Sequence, residues 1–420
     1  MSHQRIAVVG FGAAGFHGVK ALRENGCQDP VDVYFREVTP LANPMLTTYY
    51  LEGKISYAQM FPFGTAKEIS DRYGLTIYPG VAATGLLKDK TLRLSNGSQR
   101  QYDHILIAAG AEPVVPAFCE GSSRIFTMRS PDDAVKAEGF LQQRKPGHCI
   151  VVGASMAGIK VVEALEGLGV RCLLADAATR VFPLASTPRI AEEIEKRLEQ
   201  KGLEIILGAS LNAVRESDGM LEVELGETTV KTDMLVLCIG TRPEVGWCRD
   251  ALDTDRGILV ADTMETSLSG VYAAGDCAQG REIQSGKQTV LGLWPNARRQ
   301  GEVAGANIAG QNRKHSGELL HNITHFMEME FAGIGDPALE GESVYYRARD
   351  GSWEMEAILR DGVLSACNIL GNSPVGGMLK ASLARQGNCE TKGLDSLRKG
   401  LLCKRGLDRA LLTRLGGDRI

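Results

Sequence analysis

Two copies of one short device, 143 residues apart, limit what this chain can fold into. The first reads Val8-Val9-Gly10-Phe11-Gly12-Ala13-Ala14-Gly15, and the second Val151-Val152-Gly153-Ala154-Ser155-Met156-Ala157-Gly158. A lone glycine cluster of this kind arises by chance. Each copy here follows an apolar β-branched run and precedes a helix-periodic stretch that leads back to a second hydrophobic strand, which is the context a dinucleotide-binding turn requires. Two copies therefore predict an α/β chain with two Rossmann-like units.

The glycines have separate physical jobs. Gly10 permits the tight strand-to-helix turn, Gly12 lets backbone approach a pyrophosphate, and Gly15 lets the helix pack close on the strand, so that phosphates meet the positive end of the helix. An acidic residue is then expected near the end of the next strand, where it binds a ribose. In the second unit Asp176, closing Arg171-Cys172-Leu173-Leu174-Ala175-Asp176, lies 18 residues past Gly158 and fits. In the first unit, Val31-Asp32-Val33-Tyr34-Phe35-Arg36-Glu37, that position falls on Phe35, and Glu37 is taken as the substitute.

A chain of 420 residues is long enough for two or three domains of roughly 150 residues each. Net charge is −4 and the pI near 6.1, so nothing global argues for nucleic acid. The first strand begins by Ile6, leaving no room for a signal peptide, and no apolar run of about 18 residues offers a membrane span. A soluble, cytoplasmic protein is expected. Its ten cysteines are scattered, with no CxxC or CxxxxC pair, and read as reduced packing residues. Iron-sulfur or zinc ligation needs clustered thiolates, so no resident metal is expected.

Three more landmarks follow in order. Tyr102-Asp103-His104-Ile105-Leu106-Ile107-Ala108-Ala109-Gly110-Ala111-Glu112-Pro113 reads as a strand ending in a Gly-rich turn that leads out of a domain, and Asp233-Met234-Leu235-Val236-Leu237-Cys238-Ile239-Gly240-Thr241-Arg242-Pro243 repeats it. Gly270-Val271-Tyr272-Ala273-Ala274-Gly275-Asp276-Cys277 sets a carboxylate beside a glycine at a strand end, where it can accept a hydrogen bond from a ligand hydroxyl.

This order of motifs resembles the FAD- and NAD(P)H-dependent pyridine nucleotide-disulfide oxidoreductase superfamily across roughly residues 1 to 320. The resemblance implies that the first unit binds FAD, through Gly10, Gly12, Ala14, Gly15, Arg36, Glu37, Pro44, Ala109, Gly110, Gly275, Asp276, Pro295 and Asn296. It implies that the second binds a nicotinamide nucleotide, through Gly153, Ser155, Gly158, Asp176 and Gly240. Asp276 would hold the ribitol chain of the flavin. The segment Leu293-Trp294-Pro295-Asn296-Ala297 looks like the start of the helix whose N-terminus faces the flavin pyrimidine ring, its dipole stabilising negative charge on the reduced flavin.

The implied FAD domain is discontinuous, residues 1–114 and 244–318, with an NAD domain of residues 115–243 inserted. Residues 319–420 would form a small α+β interface domain. There Ser343–Arg347, Trp353–Leu359 and Val363–Leu370, separated by turns at 350–352 and 361–362, suggest an antiparallel meander.

Departures from the family bear on mechanism. Disulfide reductases carry a redox CxxxxC after the first βαβ unit, and peroxide- or oxygen-reducing relatives a single Cys nearby. Here Leu41-Ala42-Asn43-Pro44-Met45-Leu46-Thr47-Thr48-Tyr49-Tyr50 holds no thiol and is similar to the Pro-x-Leu segment of ferredoxin- and rubredoxin-reductase-like and nitrite-reductase-type flavoproteins. Several such relatives pair a Glu, two residues after the last glycine of the NAD motif, with a Lys shortly after Pro-x-Leu. Those positions are Lys160 and about Thr48 here. Lys160 is the one catalytic candidate, an electrostatic aid near flavin N5, with a lysine reaching solvent as its alternative.

Asp176 accepts hydrogen bonds from ribose hydroxyls and repels the extra phosphate of NADPH. Ala177 and Ala178 follow it rather than an Arg, so NADH is favoured, although Arg180 can still reach round to a phosphate. Ser155, replacing the second motif glycine, is expected to loosen the pyrophosphate contact mildly. The seven histidines form no catalytic set. His321 and His325 have i, i+4 spacing but no third ligand for a metal.

By the resemblance, hydride passes from nicotinamide to flavin N5 with no protein acid or base, and electrons then move on to an iron-sulfur carrier or iron-sulfur subunit. Two other readings stay open: an NADH oxidase or small-molecule reductase acting at the flavin, and a flavin-bearing structural or sensor subunit with a degenerate NAD site. Residues 391–420 carry eight Lys and Arg against three acids, a basic, Leu-rich tail suited either to an acidic partner or to covering the small domain. A homodimer and a hetero-oligomer are both compatible with these features.

Overall fold

A computed structural model describes residues 4–39, 41–387, 396–407 and 409–415. The chain divides into two compact units, one of residues 1–112, 129–131 and 241–318, the other of residues 113–128, 132–240 and 319–420.

The first unit is built on a five-stranded parallel sheet in the order Val271–Ala273, His104–Ile107, Ile6–Val9, Val31–Phe35, Leu75–Pro79. Apart from Asp32 and His104 near their starts, the three central strands are apolar on both faces because helices cover them, as parallel sheets require. The helix Ala13–Glu24 buries Phe16, Val19 and Leu22, and its last turn is closed by Arg23, which donates to the carbonyls of Tyr73, Cys27 and Asp29 at 2.8–3.0 Å. Against it lies the helix Trp294–Ile308. A Cβ on Gly301 would run into the carbonyl of Ala14, and one on Gly305 into that of Gly18, so glycine is what lets these two backbones touch.

The second unit repeats the design, with parallel strands in the order Glu204–Leu207, Arg171–Asp176, His148–Val152, Met234–Leu237, Ile125–Phe126. Residues 319–420 contribute an antiparallel sheet in the order His321–Phe326, Met329–Ile334, Val363–Leu370, Glu354–Arg360, Glu342–Arg347, with the helix Ser373–Gly387 packed on it. The expected meander is its last three strands. This sheet shares a compact unit with the second Rossmann-like sheet, and polar contacts explain why. The helix Pro188–Gln200 turns Ile190, Ile194 and Leu198 inward, while the fully buried carboxylate of Glu354 accepts from Arg197 at 2.6 Å and Glu356 accepts from the amide of Arg189 at 3.1 Å. A buried carboxylate is tolerated only when paired in this way.

Of the basic tail, Ser396–Lys404 and Arg409–Arg414 are helical. Leu402, Leu407, Leu411 and Leu412 are buried, while Lys404, Arg405 and Arg409 are exposed. Two further tail cations, Lys392 and Arg419, lie outside the described residues. Among the described residues no helix is long and apolar enough to cross a membrane, and no group of three His, Cys, Asp or Glu side chains could hold a metal ion. His321 and His325 lie on a strand, and the Nε2 of His321 sits 2.7 Å from the ammonium of Lys380. The described cysteines are free, and burial pushes the Cys172 and Cys367 thiols up to about 12.

His315 is only 4% exposed and its Nε2 has no hydrogen-bond partner among the described residues. Burial, reinforced by the charge of Arg299, holds its pKa down to about 4, and burial likewise lowers His17, His104 and His148. A folded-state pKa below the unfolded one means that the unfolded chain binds the proton more readily. The stabilisation is complete above about pH 6.5 and is lost as pH falls towards 4, roughly 3 kcal/mol for His315 alone. The thermal midpoint is therefore expected to fall from pH 7 to 4, and to fall less steeply in His315→Gln. Equal slopes in the two proteins would remove His315 from this account.

Candidate functional site

In the first unit the strand Ile6–Val9 ends at Gly10, which has φ of +91°. A side chain there would strike the carbonyl of Ala108 and come within 2.8 Å of the Cα of Ala109, and one on Gly15 would strike the carbonyl of Gly10. These two glycines are demanded by the fold itself. Gly12 differs: its φ is −81°, and a Cβ on it would meet nothing within 4 Å. Gly12 is also the N-cap of the helix Ala13–Glu24, and no side chain caps the helix amides. Uncapped amides beside open space form an anion site, so the turn fits a dinucleotide pyrophosphate.

Beside the turn lies a cavity of about 170 Å³, into which Gly12, Ala14, Pro44, Gly110, Gly275 and Asp276 all face. Trp294 and Ala297, from the first turn of the helix Trp294–Ile308, complete one wall. The helix dipole therefore points its positive end at the cavity. Pro295 begins this helix, and Asn296 is buried behind the wall, its Nδ2 donating to the Leu291 carbonyl at 3.1 Å and its Oδ1 without a partner among the described residues. The amide of Gly275 donates to Gln300 at 2.8 Å, which fixes the loop that carries Asp276.

Sequence reasoning missed Arg129. Its guanidinium donates to the Asp276 carboxylate at 2.6 Å and lines the cavity, although only residues 129–131 of that stretch belong to this unit. The one signal was weak, a single cation in the otherwise uncharged run Ile125–Pro131. Asn43, Met45 and Trp294 were likewise unassigned or unweighted, and all line the cavity.

Arg36 and Glu37 are not among the cavity walls. Arg36 is paired with Glu112 and, at 3.5 Å, with Glu37. The amide of Gly10 donates to the carbonyl of Tyr34 just as that of Gly153 donates to Ala175, both at 2.7 Å, which makes Phe35 the counterpart of Asp176. Phe35 is buried and stacked on Phe11 at 6.1 Å. The structural counterpart of Asp176 in this unit is thus an aromatic residue, packed on Phe11.

In the second unit Gly153, with φ of +112°, would collide with the Cys238 carbonyl if it carried a Cβ, and Gly158 with the carbonyl of Gly153. Ser155 caps the helix Met156–Gly167: its hydroxyl accepts from the amide of Gly158 and donates to the Cys238 carbonyl, both at 3.2 Å. The substitution thus spends one helix amide on a side chain. Asp176 accepts from the amides of Ala154 at 2.6 Å and Ala178 at 2.8 Å, one bond per oxygen. Each oxygen keeps a second lone-pair direction for a ribose hydroxyl. Gly240, with φ of +101°, borders open space.

Lys160 is 4% exposed, so it does not reach solvent. Its ammonium pairs with Glu163 and donates to the His325 carbonyl at 3.3 Å, while Glu163 also accepts from the amide of Met327 at 2.7 Å. The helix is tied in this way to the hairpin of the C-terminal sheet, and the lysine charge is balanced within its own unit.

Residues 4–301 match the family model described as pyridine nucleotide-disulphide oxidoreductase. The chain is 28% identical over 312 residues to a rubredoxin-NAD(+) reductase of Pseudomonas putida, covering 73% of this chain and 80% of that one. It is 25% identical over 396 residues to an NADH oxidase of Methanocaldococcus jannaschii, covering 88% of each. Among solved structures, the covalent putidaredoxin reductase-putidaredoxin complex superposes with a TM-score of 0.85 at 18% identity, over 97% of this chain and all of that one, which bears on the fold alone. With more than half its length matched by the family model, the chain belongs to the pyridine nucleotide-disulphide oxidoreductases and is an FAD-dependent NAD(P)H oxidoreductase.

Proposed function

We propose that this chain is an NADH-dependent reductase that passes electrons from FAD directly to an iron-sulfur protein or iron-sulfur subunit. The observation that carries the reading is the wall of the flavin cavity at Asn43, Pro44 and Met45, in a segment without a thiol. With no cysteine in that segment or among the residues that line the cavity, no thiol beside the flavin site relays electrons, and on this reading the acceptor takes them from the flavin. Similarity to a rubredoxin-NAD(+) reductase supports an iron-sulfur acceptor. FAD, when bound, takes two electrons from a nicotinamide and can release them singly.

The chain's own residues bind and orient. The Gly12 turn and the amides behind it hold the pyrophosphate, the Asp276–Arg129 pair meets hydroxyls of the sugar chain, and the helix beginning at Trp294 supplies a positive dipole for charge gained on reduction. Asp176 selects the unphosphorylated ribose. Lys160 acts, on this reading, through its bond to Glu163, holding the glycine-turn helix rather than approaching the flavin as a free cation. The tail cations Lys404, Arg405 and Arg409 suit an acidic carrier.

A second reading, direct reduction of oxygen, is favoured by the similarity to an NADH oxidase. Anaerobic stopped-flow mixing with NADH and NADPH, followed by a ferredoxin-type acceptor or oxygen, separates them. Rapid flavin bleaching by NADH, with fast reoxidation by the iron-sulfur protein alone, is the expected result. Fast oxygen turnover would give the oxidase reading, and no bleaching by either nucleotide would sink both.

A further inference from the structure

Segment 177–187 directly follows Asp176, where a ribose held by that carboxylate would bring its 2′ position. Its start is held within the Rossmann-like part of its unit, the amide of Gly208 donating to the Ala178 carbonyl and that of Val181 to Glu195, both at 2.8 Å, whereas its later part leans on the C-terminal sheet. Phe182 stands at φ of +50°, a conformation that a bulky residue keeps only when its surroundings impose it, and it is 2% exposed. Its ring lodges against Phe326 and Phe331 of the C-terminal sheet, with centroids at 5.2 and 5.4 Å, while its amide donates to the Ala154 carbonyl of the glycine turn at 2.8 Å.

Asn368, on the strand Val363–Leu370 and 1% exposed, clamps the far end of the segment. Its Oδ1 accepts from the amide of Thr187 at 2.6 Å and from the Thr187 hydroxyl at 3.2 Å, and its Nδ2 donates to the Ala185 carbonyl at 3.0 Å. Two residues before the Phe182 anchor, Arg180 is turned back on the stretch between the anchors, its Nη2 donating to the Pro183 carbonyl at 3.3 Å and its Nε buried without a hydrogen-bond partner among the described residues. The guanidinium that follows Asp176 in the chain is thereby engaged within its own segment.

We infer that Asn368 is a positioning residue for nucleotide selection: from the C-terminal sheet it holds segment 177–187 in the shape that presents Asp176 to an unphosphorylated ribose and withholds Arg180 from a 2′-phosphate. This rests on the proposed role of Asp176 in favouring NADH. Removal of the clamp leaves Asp176 on its strand but frees Arg180, which is then able to form a charge-assisted pair with the extra phosphate of NADPH. Loss of shape and gain of a cation act in the same direction on selectivity.

The test uses the full-length flavoprotein, titrated calorimetrically with NAD+ and with NADP+, alongside amide exchange of residues 178–187 without nucleotide. For Asn368→Ala the ratio of NADP+ to NAD+ dissociation constants is expected to fall about tenfold, and exchange across 178–187 to rise. Adding Arg180→Ala should cancel the gain on NADP+. If Asn368→Ala does not fold, Phe182→Gly carries the test, because glycine accepts the positive φ but lacks the anchoring ring. An unchanged ratio, or equal weakening of both nucleotides, would overturn the inference and leave Asn368 a packing residue. A wild-type protein that prefers NADP+, or binds neither nucleotide, would instead overturn the reading of Asp176, and the inference with it.

Discussion

Gly12→Val is expected to yield a folded protein that purifies without flavin. The backbone at Gly12, with φ of −81° and ψ of −161°, is extended and suits a β-branched residue, and its Cβ would meet no protein atom within 4 Å. The protein therefore does not need glycine there. A pyrophosphate does, because a side chain on Gly12 fills the space through which the helix amides reach an anion. Loss of those charge-assisted hydrogen bonds should weaken FAD binding by more than about a hundredfold, on the order of 3 kcal/mol. Gly10→Ala makes the contrast, since positive φ and the Ala108 carbonyl both oppose it, and its failure should be one of folding. Visible absorbance per protein and the thermal midpoint of the flavin-free forms distinguish the two. Stoichiometric flavin in Gly12→Val would mean that the pyrophosphate does not lie on this turn.

The same contrast explains what the sequence made legible. Gly10, Gly15, Gly153 and Gly158 could be read because their constraint is local: a strand, a sharp turn and a helix within about 10 residues leave room for nothing larger. Asp176 followed from strand length alone. Strand length also places the corresponding position of the first unit on Phe35, as the Gly10 to Tyr34 bond does, and Glu37 is favoured only because it is an acid. The first two strands of the C-terminal sheet gave no turn signal, since the hairpin turns at Met327 and Glu328, both at positive φ, where Asn and Gly are usual.

Other features were hidden by distance along the chain. Arg129 meets Asp276 across 147 residues, and Asn368 meets Thr187 across 181. Neither lies in a motif, and each depends on a fold that must first be formed. Ser155 looked like a loss at the pyrophosphate, whereas its hydroxyl caps the helix and so supplies a benefit that a glycine cannot. Lys160 read as a cation near the flavin edge or in water. Glu163, one helical turn on, was visible all along as a partner and is the residue that takes the charge.

The double substitution Asp176→Ala with Ala177→Arg is expected to reverse the preference for NADH over NADPH. Asp176 ends its strand with both oxygens fixed by the amides of Ala154 and Ala178, so its negative charge cannot swing away from an incoming 2′-phosphate. Its removal relieves that repulsion, and the exposed position 177 gives a guanidinium room to meet the phosphate in a bidentate pair. Together the two changes should shift the ratio of kcat/KM values by roughly a thousandfold, on the order of 4 kcal/mol. Much of the shift should come from lost NADH binding, because Asp176→Ala also frees two amides of the turn. The gained NADPH activity should weaken with added salt while residual NADH activity does not, as expected of an exposed ion pair. If NADPH works no better in the double variant than in the original protein, the ribose does not lie at Asp176. The nucleotide would then have to enter the second unit in another register.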